Sequence, residues 1–399
     1  MSPRSSTPVI AALCVVLAFA AGLLLGGHPA SLPTPVRDAF DLEGDEDRTR
    51  AELIESIEDS FYKPVDEQTL REAEYDGIVR SLKDRFSHYF TPEETKEFNR
   101  AVNDPQFEGI GVSVAEDDRG LRIVQVYDDS PAQKAGLLKD DLITGVAGKS
   151  IAGEPSDVST AKIKGKAGTE VRLTVLTPSR NTDKKREVTI KRAKVDIPAV
   201  DAQMIERDGK KVAHVQLFSF TNGAHGEMRA ALDKLTKQGA KGVILDLRGN
   251  GGGLLQEGVL VSSTFIEDGT IVSTKGRARA ERKYPAEGDA IDKKLPVVVL
   301  VDGGSASASE IVTGALRDTK RATIVGEKTF GKGVFQEVER LPNGGSLDLT
   351  VGSYYLPSGE NISGKGIPPQ VKAKDDPKTE RDEALPIAVR TVIDKLPRR

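Results

Sequence analysis

Residues 241–255 read KGVILDLRGNGGGLL, and the reading of this stretch decides the fold. It has the form of a buried strand that enters a glycine-rich loop and then a helix. A dinucleotide-binding loop is the obvious rival. Its G-x-G-x-x-G spacing, begun at Gly249, gives Gly251 and then Leu254, so it fails. No G-x-x-x-x-G-K-[ST] phosphate loop is present either. What remains is a loop whose backbone amides can approach a ligand without obstruction by Cβ atoms, at the carboxyl end of a strand. Such a loop suits an oxyanion hole, and equally a packing turn.

Outward from this stretch, strand-like and helical runs alternate. VAHVQL precedes a helical run over 224–238, VILDL a second over 254–265, PVVVLVD a third over 308–316, and ATIVG follows. This alternation predicts an α/β core with a mixed, largely parallel sheet over 195–374, closed by a C-terminal helix in 375–399. Before it, 104–194 carries the short strands FEGIGVSV, LRIVQVY and TEVRLTVL, with SPAQKAGL as a short helix after Ser130. Apolar residues at helical spacing (Leu53, Ile54, Ile57, then Ile78, Val79, Leu82) predict a helical region over 49–103. There TPEE, 91–94, opens a helix: Thr91 caps it, Pro92 enters the first turn and Glu94 closes a capping box.

Val9 to Leu25 is uncharged and apolar, with Arg4 before it and the acidic DLEGDED at 41–47 after it. Residues 1–27 read as a signal-anchor or a signal peptide and the Pro-rich, then acidic 28–48 as a linker. The cleavage sites are poor, which favours the retained anchor. The charge asymmetry then puts the body on the extracytoplasmic, periplasmic or cell-surface side. The net charge of −4, from 57 basic and 61 acidic side chains, gives no footprint for nucleic acid. The basic KKREVTIKRAK at 184–194 reads as a solvated strand edge. A single cysteine, Cys14, excludes an internal disulfide, and the four scattered histidines form no HExxH pair, so no metal or cofactor is expected.

GGSASASEI, 303–311, leads from the strand PVVVLVD into a helix. Ser307 and Glu310 fit S-x-x-E, so Ser307 can be a helix cap, and a serine at a helix N-terminus can equally be a nucleophile. A partner follows in EKTFGKGVFQ, where Lys332 stands between two glycines and beside Phe330 and Val334. A lysine is a general base only when neutral, which asks for roughly 4–5 kcal/mol of destabilisation of its ammonium by a dry, apolar pocket. Gln336, four residues on, would share a strand face with Lys332 and could hold its amine in line.

The order DLRGNGGG, SASASEIVTGAL, TFGKGVFQ resembles the carboxyl-terminal processing proteases, serine peptidases with a Ser–Lys pair and an inserted PDZ domain. The likeness runs from about residue 50 to the C-terminus and includes S-P-A-x-x-A-G-L and the G-I-P-P-x-V tail at 366–371. The lead-in differs from the expected form, with RFSHYFTPEE where DPHSxYxTPEE is usual. The resemblance implies Ser307 as nucleophile, Lys332 as base and Gln336 as its positioning amide. It matches Asp318 to an acidic position sometimes placed in the relay, although Arg317 and Arg321 offer it ordinary ion pairs. The oxyanion donors would be the N–H of Ala308 and of Gly251, Gly252 or Gly253. In the PDZ region Gly109, Ile110, Gly111 and Val112 would take the carboxylate of a protein or peptide with an apolar C-terminus. An activating or adaptor protein is a further possible partner. The alternative is a membrane-anchored PDZ scaffold without catalysis.

Overall fold

The computed structural model describes residues 45–103, 108–154, 156–177, 185–195, 199–375 and 381–397. The expected anchor and most of the expected linker lie outside them. Among the described residues no helix is long and apolar enough to cross a membrane. The chain divides into two units, Met1–Ile78 and Val79–Arg399. The first holds helix α1 (Asp45–Ser60), which starts within the segment read as linker, and most of α2 (Glu67–Arg80). Within it Arg50 pairs with Glu74 at 2.7 Å.

In the second unit, strand β1 (His88–Phe90) leads into α3 (Pro92–Asn103). Both arms of the expected capping box form: Glu94 N–H donates to Thr91 Oγ1 at 3.2 Å, and Thr91 N–H to Glu94 Oε2 at 3.0 Å. The small β-rich domain follows. It comprises β2 (Glu108–Gly109), β3 (Val112–Asp117), β4 (Gly120–Val126), α4 (Pro131–Lys134), β5 (Leu142–Val146) and β6 (Lys149–Ser150). It continues with α5 (Ser156–Ile163), β7 (Glu170–Leu176), β8 (Arg186–Lys191) and β9 (Ala193–Lys194). Its main sheet runs β3-β4-β5-β7-β8, so β3 and the basic β8 are its edges. Leu121, Ile123, Ile143, Leu173 and Val175 fill its core.

The larger domain comprises β10 (Val200–Arg207), β11 (Lys210–Leu217), α6 (Ala224–Lys237), β12 (Val243–Asp246), α7 (Leu255–Ser263), β13 (Thr270–Lys275), β14 (Arg282–Pro285) and β15 (Val297–Val301). Then come α8 (Ala308–Asp318), β16 (Thr323–Gly326), β17 (Val334–Arg340), β18 (Ser346–Tyr355), β19 (Val371–Lys372) and α9 (Ala384–Asp394). The central sheet has the order β10-β11-β12-β15-β16-β19, antiparallel only between β10 and β11. Alternate side chains go to opposite faces. Val215, Val243, Leu245, Val299 and Val301 meet α6, α7 and α8 in one core, while Ile244, Val298, Leu300 and Val325 meet α9 in another. Burial on both faces explains why these strands read as unbroken apolar runs. A second, antiparallel sheet pairs β18 with β1, β13 and β17.

At the carboxyl end of β12, Asp246 is fully buried and joins a charged cluster. His214 Nε2 lies 3.0 Å from its Oδ2, and Arg248 Nη2 lies 2.7 Å away. Arg248 also reaches Asp375 and Asp382, each at 2.8 Å, and so fastens the glycine loop to the segment before α9. Burial pushes the Asp246 carboxyl up, but its bonds from His214 and Arg248 hold it below the ordinary carboxylate range. Replacing Arg248 by Met, which strands that charge, is expected to cost about 3–5 kcal/mol in urea unfolding at pH 7. A depressed folded-state pKa adds stability above about pH 4 that disappears as pH falls through it, so the variant's acid unfolding slope should be shallower than the parent's.

Candidate active site

Three neighbouring parallel strands, β12, β15 and β16, release their carboxyl ends at one edge of the central sheet. Their exits are the glycine loop, the GGSASAS loop and the TFGKG loop. A crevice at such an edge is the usual ligand site of an open parallel sheet.

The three serines of GGSASAS have different surroundings. Ser305 and Ser309 are fully buried. Ser305 Oγ donates to Leu247 O at 2.7 Å, and Ser309 Oγ to Asn250 O at 2.7 Å, so both hydroxyls lash this loop to the glycine loop. Ser307 is half-buried and has φ 54 and ψ −116. A side-chain-bearing residue held there costs about 1–3 kcal/mol and persists only where its neighbours over-determine it. Ser307 and Glu310 stand as a capping box, but the Ser307 hydroxyl makes no capping bond, and the bond that forms runs from Ser307 N–H to Glu310 Oε2 at 3.1 Å. Its Oγ is therefore kept out of the cap, at the N-terminus of α8, with Ala308 N–H among the helix's unpaired donors.

The glycine loop is pressed onto this turn. A Cβ at Gly252, whose φ is 106, would stand 2.8 Å from Ser307 Cβ and 3.0 Å from Ala308 N, so only glycine fits. Gly252 N–H donates to Asn250 Oδ1 at 2.9 Å. That amide is already engaged inside the loop, so of the three candidate glycines Gly251 and Gly253 are the ones left beside Ala308. Asn250 is itself fixed by Nδ2 donating to Leu217 O at 2.7 Å. Asp302 Oδ1 accepts from Gly249 N–H and Gly304 N–H, both at 2.9 Å, and so joins the two loops. Burial pushes the Asp302 carboxyl up against those two bonds.

Glu310 joins the third loop. Its Oε2 accepts Lys332 N–H at 2.9 Å beside the bond from Ser307, and its Oε1 accepts Gly331 N–H at 2.8 Å and the Thr329 hydroxyl at 2.5 Å. Burial pushes this carboxyl up, and the four donors oppose it. Lys332 is half-buried, its Nζ 4.9 Å from the centre of the Phe86 ring. Arg85 lies over Phe330 and pairs with Glu116 of β3. Gln336 Nε2 donates to Thr350 Oγ1 at 3.0 Å. The strand-face argument for Gln336 does not hold, because β17 starts only at Val334 and its register shifts between Phe335 and Gln336. Asp318 ends α8, about 16 Å from Ser307 by helical rise. There it pairs with Arg317 at 2.8 Å and accepts Ser358 N–H at 3.0 Å, so it belongs to the far end of the helix and not to this site. Sequence reasoning missed Asn250, Asp302, Phe86 and the bridging part played by Glu310. Only Glu310 had left a signal, as the capping-box acid.

In the small domain, among the described residues, β3 pairs only with β4, and α5 packs alongside it. The candidate loop enters that edge strand. Gly111 O accepts Tyr127 N–H at 3.1 Å and Ile110 O accepts Ala132 N–H at 2.8 Å, which turns the chain into β3. Lys164, just after α5, lies beside this loop: a Cβ at Gly109 would stand 3.9 Å from its Cγ. Burial pushes the Lys164 ammonium down to about 8. The same two strands touch the larger domain's loops. A Cβ at Gly249 would stand 2.3 Å from Val124 Cγ1 of β4, and one at Gly304 3.1 Å from Ala115 Cβ of β3.

Residues 211–373 match Peptidase family S41, and residues 109–192 match the PDZ domain. A "Probable CtpA-like serine protease" of Staphylococcus haemolyticus is 38% identical over 322 residues, 79% of this chain and 62% of that protein. One from Staphylococcus aureus is 37% identical over 346 residues, 85% of this chain and 68% of that protein. The chain thus spans about two thirds of the length of these relatives. Among solved structures, the photosystem II D1 C-terminal processing protease superposes with a TM-score of 0.66 at 27% identity, covering 88% of this chain and 98% of its own.

Glu310→Gln replaces one acceptor oxygen by an NH2 group facing N–H donors. It is expected to cost about 3 kcal/mol in chemical unfolding, since a buried donor left unpaired costs about 1–3 kcal/mol. Ser307→Ala, measured beside it, should unfold close to the parent because its hydroxyl holds no cap.

Proposed function

Because this chain belongs to peptidase family S41, among the CtpA-like serine proteases with a PDZ domain, we propose that it is a serine endopeptidase using Ser307 as nucleophile and Lys332 as general base. The observation that carries this reading is Ser307 itself: strained, uncapped at its hydroxyl, and joined through one oxygen of Glu310 to the backbone of Lys332. Neutral Lys332 takes the hydroxyl proton as Ser307 Oγ attacks a peptide carbonyl. The N–H groups of Ala308 and of Gly251 or Gly253 receive the tetrahedral anion, at the positive end of α8. The protonated lysine then gives its proton to the leaving amine. Water, deprotonated by the same lysine, hydrolyses the acyl-enzyme.

The substrate is a protein whose C-terminus adds as a strand to the open edge of β3, with its carboxylate at Gly109–Val112 and Lys164 as counter-charge. Contact of Ala115 and Val124 with Gly304 and Gly249 supports a second part for the PDZ domain, in gating the centre. A place outside the cytoplasm, with residues 9–25 as anchor, belongs to the same proposal.

Two experiments test it. The parent should cleave an unfolded protein with an apolar C-terminus, and Ser307→Ala and Lys332→Ala should lose about 10³-fold or more of that rate; equal rates in all three would sink the catalytic assignment. Binding of a short apolar-tailed peptide should weaken on C-terminal amidation, on Lys164→Met, and as pH rises through about 8, where the ammonium of Lys164 is lost. Titration calorimetry that finds no difference between free and amidated peptide removes the carboxylate assignment.

A further inference from the structure

A lysine that serves as general base must be held in place, and its own neighbours cannot do it. Lys332 Nζ sits at the end of a flexible four-carbon stem between Gly331 and Gly333, which have no side chains to brace it. Glycine is needed there for another reason, since a Cβ at Gly331 would stand 2.9 Å from Gly366 N. Glu310 fixes the backbone N–H of Lys332 and not its amine.

A brace comes from the lead-in before β1. The face of the Phe86 ring meets the amine, with Nζ 4.9 Å from the ring centre. Strand β18 carries both partners. It pairs with β1, His88 opposite Asp348, and with β17, which begins two residues after Lys332 with Val334 opposite Ser353. The turn that aims the ring is tied down at close range. Ser87 Oγ donates to Asp84 Oδ2 at 2.6 Å and accepts Thr350 N–H of β18 at 3.0 Å, while Phe86 N–H donates to Asp84 Oδ1 at 3.4 Å. Arg85 adds a second arm. Its guanidinium lies 5.5 Å from the centre of the Phe330 ring and 5.2 Å from that of Phe86, and Glu116 of β3 meets its charge. The lead-in departs from its expected form at Arg85 and Phe86, and both side chains reach the loop of the base.

An aromatic face carries partial negative charge and attracts a cation within about 6 Å of its centre. A neutral amine gains little from it. As Lys332 takes the proton of Ser307 Oγ its nitrogen becomes positive, so the attraction grows along the step and lowers its barrier. We infer that Phe86 is a positioning residue of the general base: its ring face holds the Lys332 amine and stabilises the ammonium formed there. The inference rests on the Ser307–Lys332 reading above.

Its test is kcat and KM of the full chain on an unfolded protein substrate, at a pH where the parent's rate has levelled. Phe86→Leu keeps the apolar bulk and removes the ring face. It should lower kcat by about 3–30-fold with KM nearly unchanged. Phe86→Tyr keeps the face and should stay near the parental kcat. A parental or raised kcat in Phe86→Leu overturns the inference, as does an equal loss in the Leu and Tyr variants or an effect confined to KM. If Phe86→Leu does not fold, fluorinated phenylalanines at position 86 decide, because they preserve the shape of the ring while draining its face of negative charge. There kcat should fall stepwise as fluorines are added, and an unchanged kcat across the series overturns the inference. Lys332→Ala is included as a separate control. Parental cleavage by that variant overturns the catalytic reading itself, a different outcome from a ring whose face does not matter.

Discussion

One buried carboxylate oxygen holds the proposed catalytic centre together. Glu310 Oε2 receives the backbone N–H of Ser307 from one loop and that of Lys332 from another, while its second oxygen takes Gly331 and Thr329. The loops leave adjacent strands, and besides Glu310 the Phe330 N–H, which donates to Ser305 O at 3.0 Å, holds them at a fixed spacing. A buried charge costs several kcal/mol when its lone pairs are unmet. Here four donors meet them, and the first turn of α8 adds a favourable field. The cost of burying Glu310 is thus converted into a constraint, because any drift of either loop strips donors from an ion that cannot be resolvated.

The same logic explains the surrounding serines and acids. Ser305 and Ser309 spend their hydroxyls on Leu247 and Asn250, and Asp302 bridges Gly249 to Gly304. These bonds supply the over-determination that a positive φ at Ser307 requires. Among the three alternating serines, the proposed nucleophile is the one whose hydroxyl the scaffold does not use.

Much of this was legible in the chain, and the limits have physical causes. The parallel core announced itself because strands buried on both faces leave unbroken apolar runs, and KGVILDLRGNGGGLL showed where one of them stops. Local chemistry at Thr91–Glu94 was read correctly because capping depends on residues three apart, and the short helix expected after Ser130 forms at Pro131–Lys134. Relations that depend on register were not. The four-residue spacing of Lys332 and Gln336 suggested a shared strand face, but a loop and a register shift intervene. Phe86 gave no signal at all, since only the long-range pairing of β1 with β18 brings it near Lys332. Asn250 and Gly252 show a third limit: a glycine run reveals that backbone comes close, but not which of its amides is already engaged.

The placing of the PDZ strands bears on how a substrate could act on the chemistry. Ala115 sits on β3, the strand whose open edge would take a peptide, and Val124 sits on its neighbour β4. Each presses on a glycine of a different loop of the proposed centre, Gly304 and Gly249, and those two glycines donate to the same oxygen of Asp302. Close-packed interiors transmit small shifts because they have no slack to absorb them. A strand added at β3 that moved Ala115 would therefore be felt at Gly304, through Asp302 at Gly249, and through the serine lashings at Ser307. On that route the peptide's tail and the scissile bond need no direct contact, since the connection runs through a single buried carboxylate between two glycines too small to be pushed aside.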